Sequence, residues 1–123
     1  MCVFCDYLNK GDKVILQNDL AFVIYDGFPV NKGHMLIMPK RHEESFFNLT
    51  PEEKKAIDQL VIKAKEYIDF NYKPDAYNLG VNEGVFAGQS ILHCHIHIIP
   101  RYIGDVSNPR GGVRGVIPAK QNY

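Results

Sequence analysis

The chain has 123 residues, with 14 Lys and Arg against 14 Asp and Glu, so its formal net charge is zero. That length suits one compact domain, and the balance of charge argues against a general nucleic-acid surface, which needs a basic excess. No apolar run approaches the roughly 20 residues of a membrane span. The opening residues lack the charged-then-apolar layout of a secretory leader, and an odd count of three cysteines argues against a disulfide framework. A reducing cytoplasm is the expected location.

Taken in order, the chain opens on Cys2-Val3-Phe4-Cys5. A C-x-x-C pair suits a redox motif, half of a zinc site, or coincidence. Residues 1–10 read as an N-terminal arm carrying this pair. After the turn signal Asn9-Lys10-Gly11-Asp12, Val14–Gln17 and Leu20–Tyr25 form an expected hairpin across Asn18-Asp19. Asp26 follows at the strand end, where it can cap the turn. His34 to Met38 is a nearly continuous apolar run closed by Pro39, which suits a central strand covered on both faces.

Thr50-Pro51-Glu52-Glu53 is a helix start, with an N-cap, a proline at the first helical position and a capping box. Ile57, Leu60, Val61, Ala64 and Ile68 then make one apolar stripe. The spacing predicts a helix over 51–70, stopped by Asn71-Tyr72-Lys73-Pro74. Tyr77–Val81 reads as a strand. It is followed by a small glycine-bearing loop through Gly88, whose backbone can approach a phosphate closely.

The informative stretch is Gly88-Gln89-Ser90-Ile91-Leu92-His93-Cys94-His95-Ile96-His97-Ile98-Ile99-Pro100. Its period-two pattern predicts a strand with His93, His95 and His97 on one face, spaced roughly 6.5–7 Å apart, and Cys94, Ile96 and Ile98 on the other. Three of the chain's five histidines lie here. Such a row suits a three-histidine metal site, a nucleophilic histidine braced by its neighbours, or a division of labour between the two. Residues 101–123 form a tail rich in Gly, Pro and Arg. Arg101, Arg110 and Arg114 suit phosphate recognition; a solvated or dimer-contact tail fits as well.

Gly-Gln-Ser followed by His-x-His-x-His and two apolar residues resembles the signature of the histidine triad (HIT) superfamily of nucleotidyl hydrolases and transferases. The resemblance implies one α+β domain over 1–123: a mainly antiparallel sheet of about five strands, with the long helix on one face and the histidine row on the other. It implies His95 as a nucleophile that takes up a nucleotide. His97 would hydrogen-bond the phosphate, His34 would contact the triad, and Asn82, Gly88, Gln89 and Ser90 would meet the α-phosphate and scissile oxygen. Asp26 would bind the ribose hydroxyls, with Phe22, Ile24 and Phe28 either walling a purine slot or lying in the core. A structural zinc would sit on Cys2, Cys5, His42 and His93, and chemistry would need no catalytic metal.

His97, where nucleotide-transferring relatives carry Gln, places the chain on the hydrolase side. Pro100-Arg101 resembles the Fhit and dinucleoside polyphosphate hydrolase branches, so diadenosine polyphosphates are the expected substrates. Family members are commonly homodimers. Alternatives from other classes are a Hint-type phosphoramidate hydrolase, a nucleotide-binding module with little turnover, a metallohydrolase with zinc on the three triad histidines, and a thiol redox protein using Cys2 and Cys5. No nucleic-acid or membrane partner is expected.

Overall fold

The computed structural model describes residues 2–123. Five segments pair into one antiparallel sheet: β1 (Leu16–Gln17), β2 (Ala21–Tyr25), β3 (Met35–Pro39), β4 (Ala76–Val81) and β5 (Ile96–Arg101), in the order β1-β2-β3-β5-β4. Two helices complete the α+β arrangement, α1 (Val3–Lys10) and α2 (Pro51–Tyr72). This is the expected fold class, five strands with one long helix on one face.

Strand alternation sorts the core into two layers. Ala21, Val23, Met35, Ile37, Ile96 and Ile98 face α2, where they meet Ala56, Ile57, Leu60, Ala64 and Ile68. Phe22, Ile24, Leu36 and Met38 face the other way and pack with Phe4 of α1. β2 and β3 are therefore covered on both sides, which is why they read as unbroken apolar runs. Burying each large aliphatic side chain on α2 contributes about 1.5–3 kcal/mol as an upper figure.

The start of α2 follows the local chemistry of its first turn. Thr50 accepts from the Glu53 amide at 3.1 Å, and Glu53 accepts from the Thr50 amide at 2.9 Å. The same carboxylate takes two hydrogen bonds from Arg41, at 3.0 and 2.9 Å. The helix runs two residues past Phe70 and ends where Lys73 adopts φ 52°, ahead of Pro74. Proline disfavours helical geometry in the residue before it, so the stop falls there.

Two expectations change. The N-terminal arm is a helix: Cys2 is its N-cap, with the sulfur accepting from the Cys5 amide at 3.3 Å, and Gly11 ends it at φ 77°. The triad does not lie on one strand, because β5 begins only at Ile96. In the tail, Gly112–Val116 and Pro118–Lys120 form 3-10 turns beside the sheet. Arg114 donates to the Lys120 and Gln121 carbonyls, and Arg110 and Arg114 both stack on Tyr123.

Candidate active site and metal centre

The site forms where β5 begins. His97 lies on β5, opposite Leu36 on β3 and Gly80 on β4, and so points away from α2. Just before the strand, the Cys94 amide donates to the Glu43 carbonyl rather than into the ladder. His93 and His95 are therefore released from strict alternation and turn to different tasks.

Hydrogen-bond partners fix the tautomer of each ring. A carbonyl can only accept, so His95 donates from Nδ1 to the His93 carbonyl at 2.8 Å. Its Nε2 then carries a lone pair, and the ring lines a cavity of about 660 Å³. His93 donates from Nε2 to the Pro39 carbonyl at 2.8 Å, which leaves its Nδ1 lone pair facing Cys2 at 3.3 Å. The Val30 amide donates to Nδ1 of His34 at 3.0 Å. Nε2 of His34 must then hold the proton, and it lies 2.9 Å from Nδ1 of His97 and 3.4 Å from Asp26 Oδ2. His97 accepts there, so its Nε2 is the protonated nitrogen.

Electrostatics favours neutral rings. Burial, together with the neighbouring His95 and His34, lowers the His97 imidazole to about 4. Burial lowers His34 as well, against the pull of Asp26, and lowers His93. Cys94, behind the triad in the core, is pushed up to about 12 by burial and is an inert thiol.

Around the rings the structure gathers Asp26, Asn82, Gly88 and Ser90 with His95 and His97 on the wall of the first cavity. Phe4, Ile24, Phe28 and Leu36 supply its apolar surface. Phe22, weighed as a purine contact, is instead a fully buried core residue. Asp26 Oδ1 accepts from the Phe28 amide at 2.8 Å, so the turn-capping role is present too. Gln89 is not on the cavity wall. Its amide staples the loop by accepting from the Gly84 amide at 2.9 Å and donating to the Glu44 and Ile91 carbonyls.

A second cavity of about 800 Å³ shares Asp26, Phe28, Asn82 and His97 with the first and extends between β4, β5 and the tail. Arg101 is on its wall, yet its guanidinium is committed to Asp105 at 2.7 and 2.9 Å and to Asn78 at 2.6 Å. Of the three tail arginines only Arg101 lines this cavity; Arg110 and Arg114 stack on Tyr123 instead.

The three triad imidazoles do not converge on one point. Among the described residues, two groups of donors are close enough to share a cation. One is Asp26, His34 and His97, where the Val30 amide forces a proton onto the His34 nitrogen that would have to bind, so a metal there is disfavoured. The other is Cys2, Cys5, His42 and His93. Its sulfurs are 3.2 Å apart, with Cys5 3.5 Å from Nδ1 of His42 and 3.7 Å from Nδ1 of His93. Tetrahedral zinc with bonds of about 2.3 Å to sulfur and about 2.0–2.1 Å to nitrogen needs donor separations of about 3.3–3.8 Å, so small adjustments suffice. The His93 Nε2–H bond to Pro39 is the outer-shell anchor such a ligand ordinarily has. Burial and the adjacent Cys2 raise the Cys5 thiol; a bound cation would lower it. The α1 helix was missed by sequence reasoning, although Phe4, Tyr7 and Leu8 at helical spacing and Gly11 after Lys10 carried its signal.

Residues 8–104 match the family profile of the HIT domain, and the chain belongs to that family. It is similar to a bis(5'-nucleosyl)-tetraphosphatase (asymmetrical) of Schizosaccharomyces pombe, 34% identical over 97 residues that cover 79% of this chain and 53% of the other. The chain thus spans about half the length of that relative. A HIT family protein from Bacillus anthracis superimposes with TM-score 0.79 at 34% identity, covering 85% of this chain and 75% of that one. A zinc-bound histidine triad family protein from Mycobacterium smegmatis superimposes with TM-score 0.77 at 26% identity, covering 87% and 79%.

Proposed function

We propose that this HIT-family nucleotide hydrolase cleaves purine dinucleoside polyphosphates, such as diadenosine tetraphosphate, at an α-phosphate through a nucleotidyl-histidine on His95. The observation that carries this reading is the 2.8 Å hydrogen bond from His95 Nδ1 to the His93 carbonyl, which leaves Nε2 as a free lone pair on the cavity wall. A neutral imidazole is a competent nucleophile at neutral pH. Nε2 forms a bond to the α-phosphorus, and the bond from phosphorus to the bridging oxygen breaks, with its electron pair leaving on the second nucleotide. Water then attacks the same phosphorus, the N–P bond breaks, and a nucleoside monophosphate departs.

The remaining residues take roles their positions support. His97 donates from Nε2 to a phosphate oxygen and offsets charge as it develops. His34 holds His97 in that tautomer. Ser90 and Asn82 meet the phosphate beside the Gly88 backbone, while Gln89 acts through the loop it staples. Asp26 accepts from the ribose hydroxyls. The apolar end of the first cavity takes the purine.

The second cavity favours a dinucleotide over a Hint-type phosphoramidate, because it offers a large, mostly uncharged space across His97 for a departing nucleoside. The tetraphosphatase named above supports the same substrate class. Zinc on Cys2, Cys5, His42 and His93 is proposed as structural, a reading the zinc-bound Mycobacterium protein supports. We read residues 1–123 as one domain and expect a cytoplasmic homodimer joined across β4, an outer strand with Leu79 and Val81 exposed. Among the described residues no helix is long and apolar enough to cross a membrane.

Rapid mixing with diadenosine tetraphosphate labelled in its α-phosphates, quenched in alkali where an N–P bond survives, tests the reading. Label on His95 in the wild type, with turnover lost in His95→Ala, is the expected result. Turnover retained in His95→Ala overturns it.

A further inference from the structure

We propose that Phe4 is a positioning residue for His95, and that through it the cluster of Cys2, Cys5, His42 and His93 sets the orientation of the reacting imidazole. This deepens the reading of His95 as the nucleophile and rests on it.

Phe4 lies in the first turn of α1 and is 2% exposed. Its ring stands edge-on to His95, with centroids 5.1 Å apart at 76°, and edge-on to His93, at 5.8 Å and 80°. These are favourable arrangements for aromatic rings, in which a positive edge meets a negative face. His97 contacts His95 as well, at 5.2 Å and 59°. One hydrogen bond to the His93 carbonyl assigns the proton of His95 but does not by itself fix the ring plane. Phe4 and His97 supply that restraint, and a ring free to turn loses the hydrogen bond and with it the single tautomer.

The cluster reaches His95 by two routes. Cys2 and Cys5 flank Phe4 in sequence, and Cys2 caps the helix that carries it. His93, whose Nδ1 faces Cys2, is also the residue whose carbonyl holds the His95 proton. Any loosening of the cluster is therefore felt both at the ring edge and at the hydrogen-bond acceptor. Phe4 also belongs to the buried cluster of Phe22, Ile24, Leu36 and Met38, which gives the helix a defined seat. A group that touches no phosphate thereby controls how much of the protein is ready to react, and pre-organisation of this kind governs rate more than binding.

Two full-length variants test the proposal: Phe4→Leu, which keeps apolar bulk and loses the flat edge, and Phe4→Met as a second choice of similar volume. Long-range nitrogen–proton spectra of the imidazoles read the His95 tautomer without any turnover. The wild type should show one form, protonated at Nδ1. Both variants should show a mixture, and so should wild-type protein treated with a zinc chelator. Single-turnover nucleotidylation should slow by about tenfold or more in Phe4→Leu. A pure wild-type tautomer and an unchanged nucleotidylation rate in both variants would overturn the proposal. A wild-type chain that never becomes labelled defeats the nucleophile assignment instead, and the tautomer spectra still judge Phe4 by themselves.

Discussion

Nε2 of His34 lies 2.9 Å from Nδ1 of His97, and the direction of the proton between them is set by a third group, the Val30 amide. Because that amide occupies Nδ1 of His34, His34 must donate and His97 must accept. A backbone N–H two elements away from the triad thus decides which nitrogen of His97 is offered to a ligand.

This relationship orders two variants. In the proposed mechanism His97→Ala removes the donor to the phosphate and should lower kcat by about 10²–10³-fold. His34→Ala leaves that donor present but free to change tautomer, so its loss of kcat should be smaller than that of His97→Ala. Steady-state kinetics with a dinucleoside polyphosphate checks the order, and a wild-type rate in His34→Ala would contradict it.

The buried rings make stability depend on mild acid. His97 titrates at about 4 in the fold and His34 is also lowered, whereas unfolded histidine titrates near ~6.5. Between those values the unfolded chain binds protons that the native one refuses, so stability falls as pH falls. The carboxylates act lower down. Asp105 beside Arg101 and Glu53 beside Arg41 are both held below their ordinary range. What they contribute is present above the unfolded carboxylate value and is lost as pH drops toward their folded ones. Melting temperature should therefore start to decline near pH ~6.5, and His97→Gln should flatten that upper limb. A melting temperature that is level down to pH ~4.5 would refute the assignment.

Cys5→Ser should abolish metal retention and loosen α1, lowering the melting temperature by about 5 °C or more. A chelator should lower the wild type by a similar amount and leave the variant unchanged. Elemental analysis alongside calorimetry provides the check; additive losses would mean that the chelator acts elsewhere.

At the start of α2, Thr50→Ala should cost about 1 kcal/mol, the usual worth of an N-cap. Glu53→Ala should cost more, because the same carboxylate also binds Arg41. Leu60→Ala, in the α2 layer of the core, should cost about 2–5 kcal/mol. Urea unfolding ranks the three, and equal values for Thr50→Ala and Glu53→Ala would remove the second role of Glu53.

Much of this was legible in the chain itself. Thr50 to Glu53 announces α2 because capping is local: every partner lies within one helical turn. The apolar run at 34–38 becomes β3, buried throughout, because unbroken apolarity reports burial directly, and Tyr77–Val81 falls within β4, a largely exposed outer strand. The grouping of His93, His95 and His97 marked the site. Alternation, however, assigned all three one direction, and that holds only where a ladder exists. Before Ile96 the hydrogen bonds of the chain go to Glu43 and Pro39, residues more than fifty positions away. No periodicity can report partners at that distance.

Residue types and their spacing determined that this chain carries a cluster of imidazoles, a pair of thiols at C-x-x-C spacing and a sheet covered by one long helix, since these follow from side-chain chemistry and short-range geometry. Tertiary structure alone decided which histidine faces sulfur and which faces the cavity, which nitrogen of each carries the proton, and that Gln89 and Arg101 are engaged within the protein. Proton positions and charge pairing depend on the nearest group in space, and folding chooses that neighbour from anywhere along the chain.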